Sequence, residues 1–428
     1  MPVWACEVPE VHDVAPLLRG DCETDVAIIG GGLTGVSAAM HLAERNPELG
    51  ILLLESRSLG ASASGRNAGQ LLHGFASDPI QSSEERLRAY EATELGIQIA
   101  ETWAARHAPP GTLRRDGCLA LYTSNARAEA AAREVEADAA MGVPGRFVAS
   151  SELRLRGACG GVLDPRAGIL NAYALLRALY PVLAERGVRI HEQTRVCRME
   201  HGRTHLLETP GGRVRARAIV IATNAETPGL GLYRDRLLSL RAHVLATPPL
   251  ADALWRELDW SSFGGFSDDL TRIAYASRTS GGRLVFGGGS NAAYSYGHPA
   301  RSHRAEPTER THRELRRVLL QYLPELADTP TANLWSGSLC IPVDRICSIG
   351  VGGEGGSVYH ALGYSGHGLS LALLAGRVIA DLHAGHHDPW RDLPFYQRAF
   401  RRWPPEPLRW LGYEAVTRMM GRIPFLRP

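Results

Sequence analysis

The sequence predicts an α/β fold. We expect a Rossmann-type parallel-sheet domain, assembled from separate stretches of the chain, and a second domain with a mixed or antiparallel sheet. A glycine-rich turn joins an apolar strand to a helix at 25–46, and strand and helix patterns alternate beyond it. The pattern changes to successive short strands at 236–290. At 428 residues, the chain is long enough for two domains.

The first element is a short, branched and uncharged strand at 26–29, which is typical of a buried parallel strand. The glycines of a G-x-G-x-x-G pattern follow it: Gly30, Gly32 and Gly35. Such glycines permit a tight turn, close approach of a pyrophosphate and close helix packing, and free N–H groups near Leu33 favour phosphate charge. A second strand ends at Glu55, whose carboxylate is placed to bind ribose hydroxyls. Together these features predict a dinucleotide site.

The remaining elements divide the chain into discontinuous domains. A long amphipathic helix is predicted at 84–106, a buried strand at 218–222 and another helix at 308–322. We assign 24–90, 150–235 and 336–390 to the dinucleotide domain, 91–149 and 236–335 to a substrate-binding domain, and 391–428 to a helical tail.

Two other glycine runs do not predict a second nucleotide site. The run "GVGGEGG" at 350–356 is followed by a strand pattern, so we expect a hairpin turn there. The run "FGGGSNAAYSYG" at 286–297 is followed by Pro299 and polar residues instead of a helix.

Composition excludes several function classes. The formal net charge is +2, which gives no sign of a nucleic-acid partner. All 47 basic residues are arginine. Without lysine, the chain has no residue for a pyridoxal phosphate Schiff base or for a Walker A motif.

The seven cysteines are scattered without C-x-x-C spacing, which predicts reduced thiols and a cytoplasmic location. We expect no metal site, because the histidines at 383, 386 and 387 are predicted to lie in a solvated loop after a helix. No apolar run is long enough for a membrane-spanning helix, and the start of the chain shows no signal-peptide pattern.

Several segments together resemble the D-amino-acid oxidase superfamily of FAD-dependent amine oxidoreductases, and within it the gamma-glutamylputrescine oxidase branch. The segment "DVAIIGGGLTGVSAAMHL" resembles the start of these proteins. So do "SLGASASGRNAGQL" at 58–71, "IVIATNAET" at 219–227 and "ALGYSGHGLSLALLAGRVIAD" at 361–381. The resemblance implies FAD as the cofactor, bound non-covalently unless Cys340 attaches it.

Two loops offer donors to such a cofactor. Residues 61–70 are small and polar except for Arg66, and residues 363–368 place N–H groups before the last long helix, where a reduced flavin develops negative charge. The alternative for the first loop is a flexible segment without a ligand. The expected FAD-binding residues are Gly30, Gly32, Leu33, Thr34, Gly35, Glu55, Ser56, Arg57, Ser62, Ala63, Ser64, Arg66, Asn67, Gly69, Gln70, Val196, Thr223, Asn224, Gly363, Tyr364, Ser365, Gly366, His367 and Gly368.

The resemblance also implies the reaction. A hydride passes from the carbon next to a neutral amine to flavin N5, and the imine product hydrolyses to a carbonyl compound. The candidates for substrate contact or catalysis are His73, Arg272, Tyr275 and His367, with His243 as a weaker one. For His73 the alternative is a packing role, and for Arg272 and Tyr275 it is a structural one.

Two departures from the pattern bear on the substrate. Sarcosine oxidase-like members bind the substrate carboxylate through an arginine and a lysine, and the corresponding positions here look like His73 and Ser370. We therefore expect a larger amine, such as a polyamine conjugate or a secondary-metabolite amine, rather than a small N-methyl amino acid. The electron acceptor is O2 or another acceptor, and the chain is expected to be a monomer or a small homo-oligomer. A flavin monooxygenase and a non-catalytic flavoprotein subunit are the alternatives.

Overall fold

The computed structural model describes residues 1–8, 15–75, 82–288 and 307–415. It has the predicted α/β architecture, with two large sheets and one small one. The strands are β1 Cys22–Ile29, β2 Ile51–Leu54, β3 Gln70–Leu71, β4 Leu113–Arg114, β5 Cys118–Tyr122, β6 Arg146–Ala149, β7 Gly160–Asp164, β8 Gly168–Leu170, β9 Arg189–His191, β10 Arg198–Glu200, β11 His205–Thr209, β12 Gly212–Ile221, β13 Leu238–Pro249, β14 Gly265–Asp268, β15 Ala274–Arg278, β16 Arg283–Gly288, β17 Asn333–Ile341, β18 Ser348–Gly352 and β19 Val358–Leu362.

Helices flank these sheets, and short 3-10 turns occur in several connections. The α-helices are α1 Val3–Cys6, α2 Leu33–Arg45, α3 Ser83–His107, α4 Asn125–Ala140, α5 Ala172–Glu185, α6 Asp252–Glu257, α7 Glu309–Tyr322, α8 Gly368–His383 and α9 Leu408–Glu414. Among the described residues, no helix is long and apolar enough to cross a membrane.

The first sheet is built around parallel strands. Its order is β10-β11-β12-β1-β2-β9, and β19 adds to β12 in parallel. Val26, Ala27 and Ile28 of β1 are almost fully buried, as expected for a strand covered on both faces. Helices α2, α3, α5 and α8 pack on this sheet in the largest apolar cluster. The parallel strands therefore end together at one edge, where ligands bind in doubly wound folds.

The second sheet is mixed, as the pattern at 236–290 predicts. Its order is β17-β13-β16-β15-β14-β5-β7-β6, and only the β14–β5 pair is parallel. A small sheet of order β3-β8-β4 lies beside it. An apolar cluster with Phe266, Phe286 and Leu319 holds α7 against the second sheet.

The boundaries between the two halves differ from the expected ones. The expected domain boundary at residue 90 falls inside helix α3, yet Ile97 and Trp103, which come after it, pack in the apolar cluster of the first sheet. Strands β7 and β17 were assigned to the dinucleotide domain from 150 and 336, but both pair within the second sheet. Each segment belongs to the domain whose sheet buries its apolar face. The local sequence pattern does not specify which of the two sheets that is.

Two local expectations, a hairpin and a helix, are met. Strands β18 and β19 form an antiparallel hairpin around the run at 350–356. The helix expected at 308–322 is α7, with the Thr308 side chain accepting a hydrogen bond from the Thr311 N–H. The described ranges contain no cluster of side chains suited to a metal ion. The glycine run at 286–297 lies outside the described residues beyond Gly288, as does the tail from 416.

Candidate active site

One continuous cavity of about 970 Å³ lies between the two large sheets. One side, which we call the first-sheet wall, is formed by residues 29–30, 32–34, 54–57, 62–64, 66–70, 194–196, 222–226, 229–230 and 364–369, together with Leu72 and Ala372. The opposite side, the second-sheet wall, is formed by residues 240–244, 271–273 and 337–341, together with Ser267, Tyr275, Gly288 and Arg345. The first-sheet wall includes the carboxyl ends of β1 and β2.

The glycine turn fixes the geometry of the first-sheet wall. Gly30 has φ +110°, and a Cβ there would lie 2.7 Å from the Ala222 carbonyl oxygen. A Cβ at Gly35 would overlap the Gly30 carbonyl oxygen, so this position needs glycine for α2 to approach β1. The Leu33 N–H at the start of α2 donates to Ser64 Oγ at 3.0 Å. The helix terminus expected at the phosphate therefore lies against the loop at 61–70.

Glu55 is held at the end of β2 by backbone groups. Its side chain is 6% exposed and accepts hydrogen bonds from the N–H groups of Gly31 and Arg57, each at 2.8 Å. Arg57 in turn donates to Ser62 Oγ at 2.8 Å. These contacts tie the acid expected at the ribose to the glycine turn.

The loop at 61–70 is ordered by its own side chains. Arg66 Nε donates to the Ala61 carbonyl at 2.8 Å, and Arg66 Nη1 donates to the Ser336 carbonyl at 3.1 Å. The Asn67 side chain donates to the Ser64 carbonyl and accepts from the Gly69 N–H. The loop is therefore a folded element of the wall, and the alternative of a flexible segment is not what the structure shows.

The turn at 363–368 closes the same wall. The Gly363 N–H donates to Asn224 Oδ1 at 3.0 Å, and the Ser365 N–H donates to the Cys340 carbonyl at 3.0 Å. The Tyr364 hydroxyl lies 2.8 Å from Thr34 Oγ1, and burial raises the pKa of that phenol far above its usual range. Helix α8 begins at Gly368, so its N-terminal N–H groups lie at the cavity.

These features together fit a dinucleotide such as FAD. The glycines leave the backbone of the turn accessible where a Cβ would block it, the N-termini of α2 and α8 favour negative charge, and Glu55 supplies an acceptor. The cavity continues past the loop at 61–70 to the second-sheet wall. Space for a second ligand therefore adjoins the nucleotide end.

Most of the predicted residues line this cavity. The lining includes every expected FAD-binding residue except Gly35 and Gly363, which act by close backbone packing and by the Asn224 contact. Arg272, Tyr275 and His367 also line it. Their assignment as ligand contacts remains a prediction.

His73 does not line the cavity, contrary to the expectation that it lies near the flavin ring face. Its Nδ1 lies 2.5 Å from Asp164 Oδ2, its Nε2 lies 2.7 Å from Glu94 Oε2, and the ring stacks on Tyr90 at 4.0 Å. Arg166 also binds Glu94. His73 therefore has the packing role that was the alternative to a substrate contact. It belongs to an ionic cluster that joins α3 to β7. Ser370 is also outside the lining, since its hydroxyl donates to the Leu72 carbonyl.

The second-sheet wall carries positive charge. Three of its lining side chains are guanidinium groups: Arg241, Arg272 and Arg345. Arg241 is only 3% exposed, and it donates from Nε to Ser336 Oγ at 2.7 Å and from Nη1 to Ser338 Oγ at 3.3 Å. Among the described residues, the carboxylates that line the cavity are Glu55 and Glu226, both in the first-sheet wall. The second-sheet wall therefore favours a ligand with an anionic group.

Two polar groups near these cations have shifted pKa values. Burial raises the pKa of Tyr275 to about 12, so the phenol stays protonated and can donate a hydrogen bond. Burial and the nearby Arg345 guanidinium lower the pKa of His367 to about 4. The His367 imidazole is therefore neutral at neutral pH.

Sequence reasoning missed Arg241 and Arg345. Arg241 lies two residues before the weaker candidate His243 on β13, and both line the cavity. The period-2 pattern of a strand would have grouped the two side chains on one face. Arg345 follows β17 in an irregular segment with φ +62°, and no pattern in the sequence signals its position. Tyr413 of α9 also lines the cavity and was not predicted.

Comparison with known proteins agrees with this geometry. The family model described as "FAD dependent oxidoreductase" (DAO) matches residues 25–382. The chain is 26% identical over 390 residues to gamma-glutamylputrescine oxidoreductase of Escherichia coli (strain K12), covering 87% of each chain. It is 26% identical over 372 residues to glycine oxidase of Geobacillus kaustophilus (strain HTA426), covering 84% of this chain and 92% of that one.

Solved structures show the same fold. The crystal structure of glycine oxidase from Geobacillus kaustophilus superposes with a TM-score of 0.74 at 23% identity, covering 89% of this chain and 99% of that one. L-proline dehydrogenase from P. horikoshii superposes with a TM-score of 0.70 at 20% identity, covering 89% and 96%. The expected fold is confirmed by these likenesses.

Proposed function

The chain belongs to the DAO family of FAD-dependent oxidoreductases, and from this membership we propose that it oxidises a carbon–nitrogen bond of an amine that carries an acid group. The cavity supports this proposal, because it has a dinucleotide-type wall on one side and three arginines on the other. Gamma-glutamylputrescine oxidoreductase and glycine oxidase, two relatives of the chain, are named for amines that also bear a carboxylate.

The first-sheet wall would hold FAD. The glycine turn and the start of α2 would accommodate the pyrophosphate, Glu55 would accept a hydrogen bond from the ribose, and the loops at 61–70 and 363–368, whose residues line the cavity, would border the ring. When bound, FAD supplies an acceptor at N5 for the hydride that leaves the carbon next to the amine nitrogen.

The residues of the second-sheet wall would orient the amine. Arg241 holds the acid group by charge and by its fixed donor geometry, because its guanidinium is buried and held by two serine hydroxyls. Tyr275 donates a hydrogen bond from a phenol that stays protonated, and the neutral His367 imidazole can accept a hydrogen bond. Hydride loss requires the neutral amine. Among the described residues, no carboxylate lines this wall, so none is there to stabilise the ammonium form.

The anionic group distinguishes this proposal from the expectation based on sequence. That expectation relied on His73 and Ser370 as the carboxylate-binding positions, and neither lines the cavity. The cations come instead from strands and loops of the second sheet. A polyamine conjugate with an acid group remains compatible with the proposal, and a simple alkylamine is disfavoured.

We propose that FAD is bound non-covalently. Cys340 lines the cavity but is 1% exposed, and burial raises the pKa of its thiol to about 12. Attachment needs a thiolate nucleophile, which such a pKa disfavours. The seven cysteines are all free thiols, which supports the proposal of a reducing, cytoplasmic location.

The proposal is tested by anaerobic reduction of the FAD-loaded protein with matched amine pairs. Glycine is compared with glycinamide, and γ-glutamylputrescine with its α-carboxamide, while loss of flavin absorbance is followed. We expect the acid-bearing member of at least one pair to bleach the flavin much faster. Bleaching by NADPH instead of by amines would support a monooxygenase, and no bleaching by either would support a non-catalytic subunit.

A further inference from the structure

Four consecutive carbonyls of the loop at 61–70 are bonded to groups outside the cavity. The loop residues line the cavity, whereas none of the four donor residues does. The bonds run from Trp335 Nε1 to Arg66 O at 3.0 Å, from Trp4 Nε1 to Asn67 O at 2.6 Å, from Ser277 Oγ to Ala68 O at 2.5 Å and from Leu170 N to Gly69 O at 2.8 Å. The carbonyl oxygens of this stretch therefore point away from the cavity.

The opposite side of these peptides consequently faces the cavity. In a trans peptide the carbonyl and the following N–H point in opposite directions. The N–H groups of Asn67 and Ala68 are therefore directed toward the cavity side of the loop. The direction depends on the outer donors, because a peptide whose carbonyl has lost its donor can rotate to find another.

Trp4 differs from the other donors because it belongs to no sheet and to no large helix. It lies in α1, a single turn near the start of the chain, and its side chain is 2% exposed. Its ring packs against Gly69, which has φ +82° and where a Cβ would lie 2.8 Å from the indole. The ring thus occupies space that only a glycine leaves free.

The first residues of the chain are fixed at three further points. The Trp4 carbonyl accepts from Asn171 Nδ2 at 3.1 Å, and the Glu7 carboxylate accepts from Thr279 Oγ1 at 2.5 Å. The Met1 carbonyl accepts from Asn333 Nδ2 at 3.2 Å. These partners belong to three separate parts of the fold, so the position of Trp4 is set independently of the loop that it contacts.

We propose that Trp4 is a positioning residue for FAD, acting by fixing the 67–68 peptide of the loop. The N-terminal segment, residues 1–8, serves as a clamp that holds the Asn67 carbonyl outward and keeps the adjoining N–H turned to the cofactor. This inference rests on FAD binding in the cavity and not on the identity of the amine.

The test compares Trp4→Phe with wild type and with Trp260→Phe. The first variant keeps an aromatic ring but loses the N–H donor. The control removes an equally buried indole donor, which bonds the Gly264 carbonyl away from the cavity. FAD affinity is measured by titrating the apo-protein, and hydrogen–deuterium exchange is followed for peptides covering 66–70.

For Trp4→Phe we expect FAD affinity to fall by about five- to tenfold, the size expected for one lost hydrogen bond to a buried carbonyl. Exchange at 66–70 should rise, while Trp260→Phe leaves both readouts unchanged. Wild-type affinity and exchange in a folded Trp4→Phe protein would overturn the proposal. If that variant does not fold, Glu7→Gln replaces it, since it loosens the clamp without touching the loop. Faster exchange at 66–70 then supports the clamp, and unchanged exchange refutes it.

Discussion

The two walls of the cavity draw on the chain in different ways. The glycine turn, the acid and the loop of the first-sheet wall come from one stretch of fewer than fifty residues. Residues that are close in the sequence there are also close in the fold. The second-sheet wall takes Arg241, Tyr275 and Arg345 from three separate segments. The first wall is thus specified by backbone geometry, and the second by side chains that meet only after the sheet has formed.

The difference predicts distinct failures when each wall is altered. Damage to the first wall should remove the cofactor together with stability, because backbone atoms there are in direct contact. Damage to the second wall should leave FAD bound and change the reaction with substrate.

Gly35→Ala should have the largest effect. The added Cβ would overlap the Gly30 carbonyl oxygen, so α2 must move away from β1. We expect a loss of about 3 kcal/mol or more in the free energy of unfolding, and protein that is purified without flavin. Denaturant unfolding and the ratio of flavin to protein absorbance measure the two effects.

Gly352→Ala is the matched control for Gly35→Ala. No heavy atom lies within 4 Å of a Cβ at that glycine, and its φ is not in the positive region. It should retain both stability and flavin. Equal behaviour of the two alanine variants would mean that the glycine turn does not control cofactor binding.

Arg241→Met should distinguish the roles of the two walls. The change removes a buried cation that donates to two serine hydroxyls, while keeping an unbranched side chain. We expect kcat/KM for an acid-bearing amine to fall about 100-fold, or ~2.7 kcal/mol, with FAD still bound. Arg278→Met is the control, because that guanidinium stacks on Trp255 and does not line the cavity. An equal loss in the control, or no loss in Arg241→Met, would contradict the assignment.

Tyr275→Phe should have a smaller effect on the same wall. It removes one hydrogen-bond donor and leaves the ring, so we expect about a tenfold loss in kcat/KM. Since burial raises the pKa of this phenol to about 12, the wild-type rate should show no tyrosine ionisation at moderately alkaline pH. A rate change near the ordinary phenol pKa that disappears in Tyr275→Phe would argue against a protonated donor.

Acid should destabilise the fold through two buried histidines. Burial lowers the pKa of His360 to about 4 from 6.5, and burial with Arg345 does the same for His367. The unfolded chain then binds more protons than the folded one between these values, so stability is full above about pH 6.5 and is lost as pH falls toward 4. His360→Gln should flatten this dependence, as measured by denaturation midpoints at several pH values. An unchanged slope would show that His360 does not contribute.

Cys340→Ser should have the smallest effect on the cofactor. Because the thiol is buried and its pKa is raised, FAD should be released by acid precipitation from wild type and variant alike. Flavin that stays with the wild-type precipitate but not with that of Cys340→Ser would mean covalent attachment.

The contrast between the walls also explains how far the sequence could be interpreted. The glycine turn, Glu55 and the loop at 61–70 were predictable because each is a local pattern with a backbone requirement. His73 follows that loop directly, yet the chain turns away and the ring binds Glu94 and Asp164. Arg241 shares a face of β13 with the weaker candidate His243, but the sequence does not show that this face meets the cavity. Long-range pairing of β13 with β17 decides that, and a single sequence does not record it.

The most direct test is anaerobic titration of wild-type and Arg241→Met protein, both loaded with FAD, with γ-glutamylputrescine and its α-carboxamide. We expect the acid to bleach the wild-type flavin much faster than the amide does, and we expect Arg241→Met to lose most of this preference while retaining FAD. Equal bleaching by the acid and the amide in wild-type protein would contradict an anion-binding second-sheet wall.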